Sequence, residues 1–158
     1  MPSRAMERKV RQHLRLARGL LETAVLHAAS SEFDERNALS RAYYSMFHAS
    51  RAWLLFRSGD DRRMKHGLLQ AEMRRGFGES FGNLIEELYR LRRAADYFED
   101  WAPVRFRSEE SLKRARTNVF YVCGLTERSL DQGEVHDLYG VGEIGPRTIG
   151  FGRCVGAG

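Results

Sequence analysis

Hydrophobic positions recur along most of the chain at spacings of three and four residues, the pattern of helices that bury one face. The first stretch runs from Ser3 to about Ala29 and the second from about Asp34 to Phe56. A short helix is predicted at Leu68–Arg75, a long one at about Asn83–Phe98, and a last one from Ser108 to near Leu130. The pattern predicts an all-α, up-and-down bundle of four long helices and one short helix.

Residues that favour turns or caps set the predicted helix ends. Asp34 is expected to cap the second helix, since its side chain can accept hydrogen bonds from the first turn. Gly59 is expected to end that helix in a left-handed turn. The glycines between 76 and 82 predict a loop. Pro103 is expected to end the fourth helical stretch, and Ser108 to begin the last helix.

Each long helix carries one apolar stripe, and together these stripes are expected to form the core. The stripe residues are Val10, Leu14, Ala17, Leu21, Ala24 and Ala28; Leu39, Tyr43, Met46, Phe47, Trp53 and Leu54; Leu84, Leu88, Leu91 and Ala95; and Leu112, Ala115, Val119, Val122 and Leu125. Trp53 and Trp101 are expected to be core or boundary anchors.

The second helix also carries the candidate chemistry, on the face opposite its stripe. Arg41 and His48 are seven residues apart, almost two turns, so they share that face with Tyr44 and Ser45. An imidazole titrates near neutral pH, and an arginine offers two parallel donors to a phosphate. The alternative from spacing alone is a satisfied polar pair at a helix–helix contact.

The same face carries Ala52 and Leu55 as well as Tyr44, so we expect it to be semi-apolar. Such a face suits the cleft of a twofold dimer better than open solvent. A dimer would also place a second His48 beside the first, whereas one histidine cannot easily serve as both base and acid.

The change in composition near the C-terminus predicts where the folded domain ends. The 158 residues are expected to form one domain at 1–131, followed by a Gly-rich, mobile tail at 132–158. Within that tail, 140–145 formally matches G-x-G-x-x-G. No predicted strand precedes it and Pro146 follows it, so a dinucleotide site is not expected.

The net charge is +5, and arginine supplies all but three of the 26 basic residues. Arginine suits phosphate and nucleic acid, although the composition of the genome could also explain the bias. Cys123 and Cys154 have neither metal-site nor disulfide spacing, which favours a reducing, cytoplasmic setting without a metal or cofactor. No apolar run approaches the ~20 residues of a membrane span, and no secretory signal is evident. His13 and His27 are expected to be isolated surface or boundary residues.

Three segments resemble a known family. The stretch Arg-Ala-Tyr-Tyr-Ser-Met-Phe-His-Ala at 41–49 is similar to the signature helix of the prokaryotic HEPN superfamily. Lys-His-Gly at 65–67 resembles the loop motif of one HEPN branch, and Leu-Arg-Arg-Ala-Ala-Asp-Tyr at 91–97 resembles that branch's later helix. The similarity spans roughly residues 5–130 and omits the tail.

The resemblance implies a helical bundle that acts as a homodimer. Many members are metal-independent endoribonucleases, commonly toxins paired with a nucleotidyltransferase-type antitoxin, in which an Arg and a His carry catalysis. Arg41 and His48 match that pair. In some toxins the antitoxin modifies a tyrosine two residues after the histidine, where this chain has Ser50, and many carry the motif later in the chain.

Further residues are expected to contact an RNA substrate. Tyr44 could orient the imidazole or stack on a base, and Ser45 could hydrogen-bond either catalytic group. Lys65 and His66 are expected to contact phosphate or substrate near the cleft, with a plain basic loop as the alternative. For the 91–97 segment we expect a structural role, including an ion pair between its arginine at 92 and its aspartate at 96.

The leading hypothesis is therefore a HEPN-type ribonuclease toxin that acts on RNA. The alternative is a non-catalytic HEPN module that binds nucleotide or docks a nucleotidyltransferase partner. A third class is a plain helical interaction protein.

Overall fold

A computed structural model describes residues 3–27, 31–60, 65–97 and 102–133. These residues form helices α1 to α5 and contain no strand, so the predicted all-α bundle is confirmed. The predicted tail from residue 134 onwards lies outside the described residues, as do Ala28, Trp101 and Cys154. In chain order the helices are α1 (Arg4–His27), α2 (Glu32–Ser58), α3 (His66–Phe77), α4 (Glu79–Asp96) and α5 (Ala102–Gln132).

Helix α2 is the central element, because it packs against each of the other four helices. Its largest fully buried side chains include Trp53, Tyr43, Leu39 and Met46. Burying such side chains away from water is the main favourable contribution to folding. None of the described helices is long and apolar enough to cross a membrane.

The four predicted apolar stripes are confirmed wherever the structure describes them. Most of their members are buried, and Phe47, Leu54 and Leu112 are partly buried against the core. The period of three and four residues is a local property of each helix, which is why it could be read without knowing how the helices pack.

The predicted cap at Asp34 is wrong, because α2 begins three residues earlier. Ser31 is the N-cap, with an extended backbone, and its Oγ accepts a hydrogen bond from the Asp34 amide at 3.2 Å. The Ser31 hydroxyl in turn donates to Asp34 Oδ2 at 2.6 Å. A hydroxyl in this position satisfies an amide of the first turn that has no partner inside the helix. At the other end, Gly59 has φ 70° and its amide donates to Leu55 O, as predicted.

The predicted loop at 76–82 is also wrong, since only Gly78 separates α3 from α4. Gly78 has φ 89°, a backbone conformation that favours glycine. Gly82 lies inside α4, where a β-carbon would come within 2.7 Å of the Arg74 side chain. The glycine therefore lets α3 and α4 approach closely at this turn, rather than interrupting the helix.

Helix α5 begins at Ala102, six residues before the predicted start at Ser108. Pro103 thus opens the last helix instead of ending the preceding one, which stops at Asp96 with Tyr97 as its cap. Proline is tolerated in a first turn, because the amide it lacks would have no partner inside the helix there.

One buried arginine joins the start of α2 to the end of α4. Arg36 is only 9% exposed, and its Nη1 donates to the carbonyl oxygens of Ala94 and Ala95, both at 3.1 Å. Its Nε also pairs with Glu32 at 2.9 Å. The last four carbonyls of a helix have no partner inside the helix, and Arg36 supplies donors to two of them at the end of α4.

Candidate functional site

Arg41 lies on the exposed side of α2. Its guanidinium forms no ion pair or hydrogen bond with another residue in the described part of the chain, unlike those of Arg11 and Arg18 of α1, which pair with acidic residues. A guanidinium without an internal partner keeps its five donors available for a ligand. The predicted position of Arg41 on an accessible face is therefore consistent with contact to a phosphate.

His48 is half-buried and faces α1. Its Nδ1 lies 2.9 Å from Nδ1 of His13, and the two rings stack with centroids 5.1 Å apart and planes 24° apart. The expectation that His13 is isolated is wrong, because the antiparallel packing of α1 against α2 brings the two histidines together. No periodicity within α1 could show this, since the contact depends on the register between two helices.

The surroundings of His48 favour its neutral form. Burial lowers the pKa of the His48 imidazole below its ordinary value, and the positive charge of Arg51 lowers it further. A neutral imidazole has one ring nitrogen available to accept a proton. His48 is therefore suited to act as a base at neutral pH.

The Ser45 side chain is not accessible to a ligand and instead makes a hydrogen bond within the protein. This side chain is fully buried, and its Oγ donates to the backbone carbonyl of Ala17 at 2.6 Å. This hydrogen bond holds α1 against α2 close to the His13–His48 contact. The predicted substrate contact of Ser45 stays a prediction, whereas the observed hydrogen bond favours a role in packing.

The expected semi-apolar dimer face is not formed as predicted. Ala52 and Leu55 are buried within the single chain, at 0% and 2% exposure, and belong to its core. They are not available to a second copy, so they no longer support a dimer. Ser50, where some toxins carry a modified tyrosine, is also fully buried.

His66 stands at the start of α3 and contacts α2 through aromatic rings. Its Nδ1 is in contact with the Tyr43 hydroxyl, and its ring lies 4.9 Å from Phe47 and 5.8 Å from Tyr89, centroid to centroid. Lys65, the residue before α3, is exposed and makes no side-chain capping bond.

The protonation of the Tyr43–His66 contact follows from burial. Burial strongly raises the pKa of the Tyr43 hydroxyl, so the hydroxyl keeps its proton. Burial, followed by the charge of Arg92, lowers the pKa of His66. A protonated Tyr43 hydroxyl and Nδ1 of a neutral His66 therefore share one hydrogen bond, which leaves the Nε2 edge of His66 outside this contact.

Arg92 brings the third resembling segment to the same place. Its Nε forms the predicted ion pair with Asp96 Oδ2 at 2.8 Å. Its guanidinium lies over the rings of Tyr44 and Tyr43, 5.1 and 5.8 Å from their centroids, a cation–π arrangement. Tyr44 is thus half-buried beneath Arg92, with the ion pair holding that cation in place.

All three resembling segments therefore meet around α2. Phe47 lies between the two histidines, with its ring 5.7 Å from His48 and 4.9 Å from His66. Within the part of the chain that the structure describes, no group of three or more His, Cys, Asp or Glu side chains is placed to hold a metal ion. The chemistry available at this place is that of imidazole, guanidinium, ammonium and phenol groups.

Comparison with curated proteins shows a similarity over about half of the chain. UPF0332 protein PH1297 of Pyrococcus horikoshii is 37% identical over 83 residues, which cover 51% of this chain and 53% of the relative. This chain is similar to a UPF0332 protein. It spans about half the length of the curated relative it matches, and the name of the relative states no activity. No protein-family model and no solved structure matches the sequence.

The lowered pKa values of His48 and His66 predict how the stability of the protein depends on pH. Both have a pKa in the folded state below the ordinary value of 6.5, so protonation favours the unfolded chain. Their contribution to the free energy of unfolding should be complete above pH 6.5 and be lost as the pH falls through the folded-state values. Urea unfolding of the wild type and of a His48→Asn, His66→Asn double variant, between pH 8 and pH 5, measures this. The double variant should show the flatter profile, and parallel profiles would contradict the assignment.

Proposed function

We propose that this chain is a HEPN-type, metal-independent endoribonuclease that acts as a toxin, as a homodimer, and is restrained by a nucleotidyltransferase-type antitoxin. One observation carries the proposal. The exposed Arg41, which has no partner among the described residues, shares a face of α2 with His48, a half-buried imidazole whose pKa is lowered. This arrangement offers a fixed positive charge beside a neutral base.

The base acts on the ribose. In the proposed reaction, His48 Nε2 accepts the proton of the 2′-hydroxyl while O2′ forms a bond to phosphorus. The P–O5′ bond breaks, O5′ takes up the proton that His48 accepted, and the product is a 2′,3′-cyclic phosphate. The need for a 2′-hydroxyl would restrict cleavage to RNA.

The guanidinium acts on the phosphate. Arg41 would donate to the non-bridging oxygens, where negative charge increases as the phosphorane forms. Its side chain would not first have to break an ion pair within the described part of the chain. Lys65, exposed at the start of α3, supplies a further positive charge for the RNA backbone.

A second copy of the chain would contribute a second Arg41 and His48 across a twofold axis. The exposure of Arg41 leaves it accessible to such a copy or to RNA. His66 would present its Nε2 edge to substrate, because Nδ1 is engaged by Tyr43. Tyr44 would contact a base only with the part of its ring that Arg92 leaves uncovered.

Cleavage of a defined RNA by the purified protein tests the proposal. In buffer containing EDTA, the protein should cut a fluorescently labelled RNA and leave 2′,3′-cyclic phosphate ends. The same oligonucleotide with 2′-deoxyribose at the cleaved position serves as the matched control and should stay intact. Intact RNA at high enzyme concentration, together with normal growth of cells that overproduce the chain, would refute the nuclease. Binding of RNA or nucleotide without cleavage would support the non-catalytic HEPN module.

Co-expression tests the proposed partner, where a nucleotidyltransferase gene is found beside the gene for this chain. Co-expression should restore growth and protect cellular RNA. Because Ser50 is buried, we expect restraint to act through another residue or through complex formation. Unchanged toxicity in its presence would contradict the antitoxin assignment.

A further inference from the structure

We propose that His13 is a positioning residue that shares a proton with His48 and thereby sets whether His48 acts as base or as acid. The inference rests on the proposed ribonuclease function for its role in catalysis. The existence of the His13–His48 pair does not depend on that function, because it rests on the contact between α1 and α2.

The distance between the two nitrogens limits where protons can lie. At 2.9 Å, the two Nδ1 atoms can hold only one hydrogen between them, because two N–H groups pointing at each other would collide. In the neutral pair, one histidine therefore donates from Nδ1 and the other accepts there. The histidine that accepts at Nδ1 carries its own proton on Nε2.

The two arrangements give His48 opposite roles. If His48 donates its Nδ1–H to His13, Nε2 of His48 is unprotonated and can accept a proton. If His13 donates instead, His48 carries its proton on Nε2 and can deliver it. Moving a single hydrogen across the 2.9 Å contact thus changes the role of His48.

The packing of α1 holds the pair in place. Val10, Leu14 and Ala17, on either side of His13, are buried in the core. The hydrogen bond from Ser45 to Ala17 fixes the register of α1 against α2 one turn from His13. The imidazole of His13 is therefore presented by a rigid element, as a positioning group must be.

The proton balance of the reaction closes within one chain. His48 Nε2 takes the 2′-hydroxyl proton as the O2′–P bond forms, and its Nδ1 proton moves to His13, which then carries the positive charge. His48 is left neutral with a proton on Nε2. As the P–O5′ bond breaks, His48 delivers that proton to O5′, and the shared proton returns from His13 to His48. The pair ends as it began, without a co-reactant.

The charged and titratable groups around His48 determine which control variant the experiment needs. Arg51, on the same helix, disfavours positive charge at His48, and His13 is the titratable group that α1 presents to it. His66 of α3 lies on the other side of Phe47 and does not enter the pair. A His66→Asn variant is therefore the matched control for loss of a neighbouring imidazole.

Two substitutions at position 13 separate proton sharing from packing. His13→Asn places an amide where Nδ1 lies, so it keeps a hydrogen bond to His48 but cannot titrate. His13→Leu removes both properties. Circular dichroism and thermal unfolding of each variant show whether the helical fold is kept.

The first readout is ¹⁵N NMR of the imidazole nitrogens across pH, which needs no activity. In the wild type, one of the two histidines should carry hydrogen on Nδ1, and the pair should take up its two protons in separate steps. In His13→Leu, His48 should titrate in a single step, whereas His66→Asn should leave the two steps unchanged. Two unprotonated Nδ1 atoms in the wild type, or an unchanged His48 titration in His13→Leu, would overturn the proposal.

The second readout is the pH profile of kcat and KM for RNA cleavage. His13→Asn should lower kcat by roughly 10²-fold with KM unchanged, since the amide cannot take the proton charge. Wild-type kcat in His13→Asn would overturn the catalytic role. If the wild type cuts no RNA, the proposed function fails by itself and NMR still decides whether the pair shares a proton.

Discussion

Replacing His48 by asparagine should lower the rate of RNA cleavage by roughly 10²- to 10⁴-fold while leaving the bundle folded. The amide of asparagine occupies the place of Nδ1, so the contact with His13 is kept. The edge that carries Nε2 is lost, and with it the atom that accepts the 2′-hydroxyl proton. Initial rates on a fluorescent RNA measure the loss, and thermal unfolding confirms the fold. A variant that cuts as fast as the wild type would show that the site lies elsewhere.

Substitution of Arg41, measured in the same cleavage assay, tests the second proposed catalytic residue. Arg41→Ala should lower kcat by roughly 10²- to 10³-fold, the effect of removing one donor to a charge that increases in the transition state. Arg41→Lys keeps the charge but not the planar pair of donors, so we expect it to recover only part of the rate. Arg116→Ala is the matched control, because Arg116 is also exposed and lies on α5. Equal losses at positions 41 and 116 would indicate a general effect of net charge.

The local features of the fold were predictable, because each depends on residues close in sequence. The stripe of α1 and the left-handed turn at Gly59 need only the helical period and the preference of glycine for positive φ. The caps were less predictable, since Ser31 and Asp34 both carry oxygens that can accept an amide hydrogen. The backbone selects the one that is extended, here Ser31.

The candidate site was predictable only as far as one helix determines it. Arg41 and His48 share a face of α2, as their spacing indicates, yet the sequence could not show how much of α2 is covered. Because all four other helices pack on α2, residues opposite its stripe, including Ala52 and Leu55, are buried as well. The periodicity of a central helix understates its burial, since a stripe describes only a helix packed on one side.

Contacts between helices account for what the sequence missed. His13 meets His48 because α1 runs antiparallel to α2 in the register that the Ser45–Ala17 hydrogen bond also reflects. The resembling segments at 65–67 and 91–97 were identified from their order, but their meeting around Tyr43 depends on how α3 and α4 pack. The site thus contains a second imidazole in the same chain, which changes the reason for a dimer. In the proposed proton-sharing reaction, a second copy is not required to supply the other proton-transfer group.

The largest effect on stability is expected at Arg36. Arg36→Met keeps the length and helix propensity of the side chain but removes the donors to Ala94 O and Ala95 O. Two carbonyls of buried residues at the end of α4 then lose these donors, which should lower the free energy of unfolding by about 2–5 kcal/mol. The loss of the ion pair with Glu32 adds little, since the Glu32 side chain is 56% exposed.

Urea unfolding of Arg36→Met, followed by circular dichroism, measures the change as a lower midpoint at constant m-value. Arg90→Met is the matched control, because Arg90 is an exposed residue of α4 that pairs only with Glu86 among the described residues. An exposed pair of this kind is worth about 0–1 kcal/mol. Similar small losses in both variants would mean that water can replace the guanidinium at the end of α4. A large loss confined to Arg36 would show that this contact joins the start of α2 to α4, and so supports the helix that carries Arg92 to the candidate site.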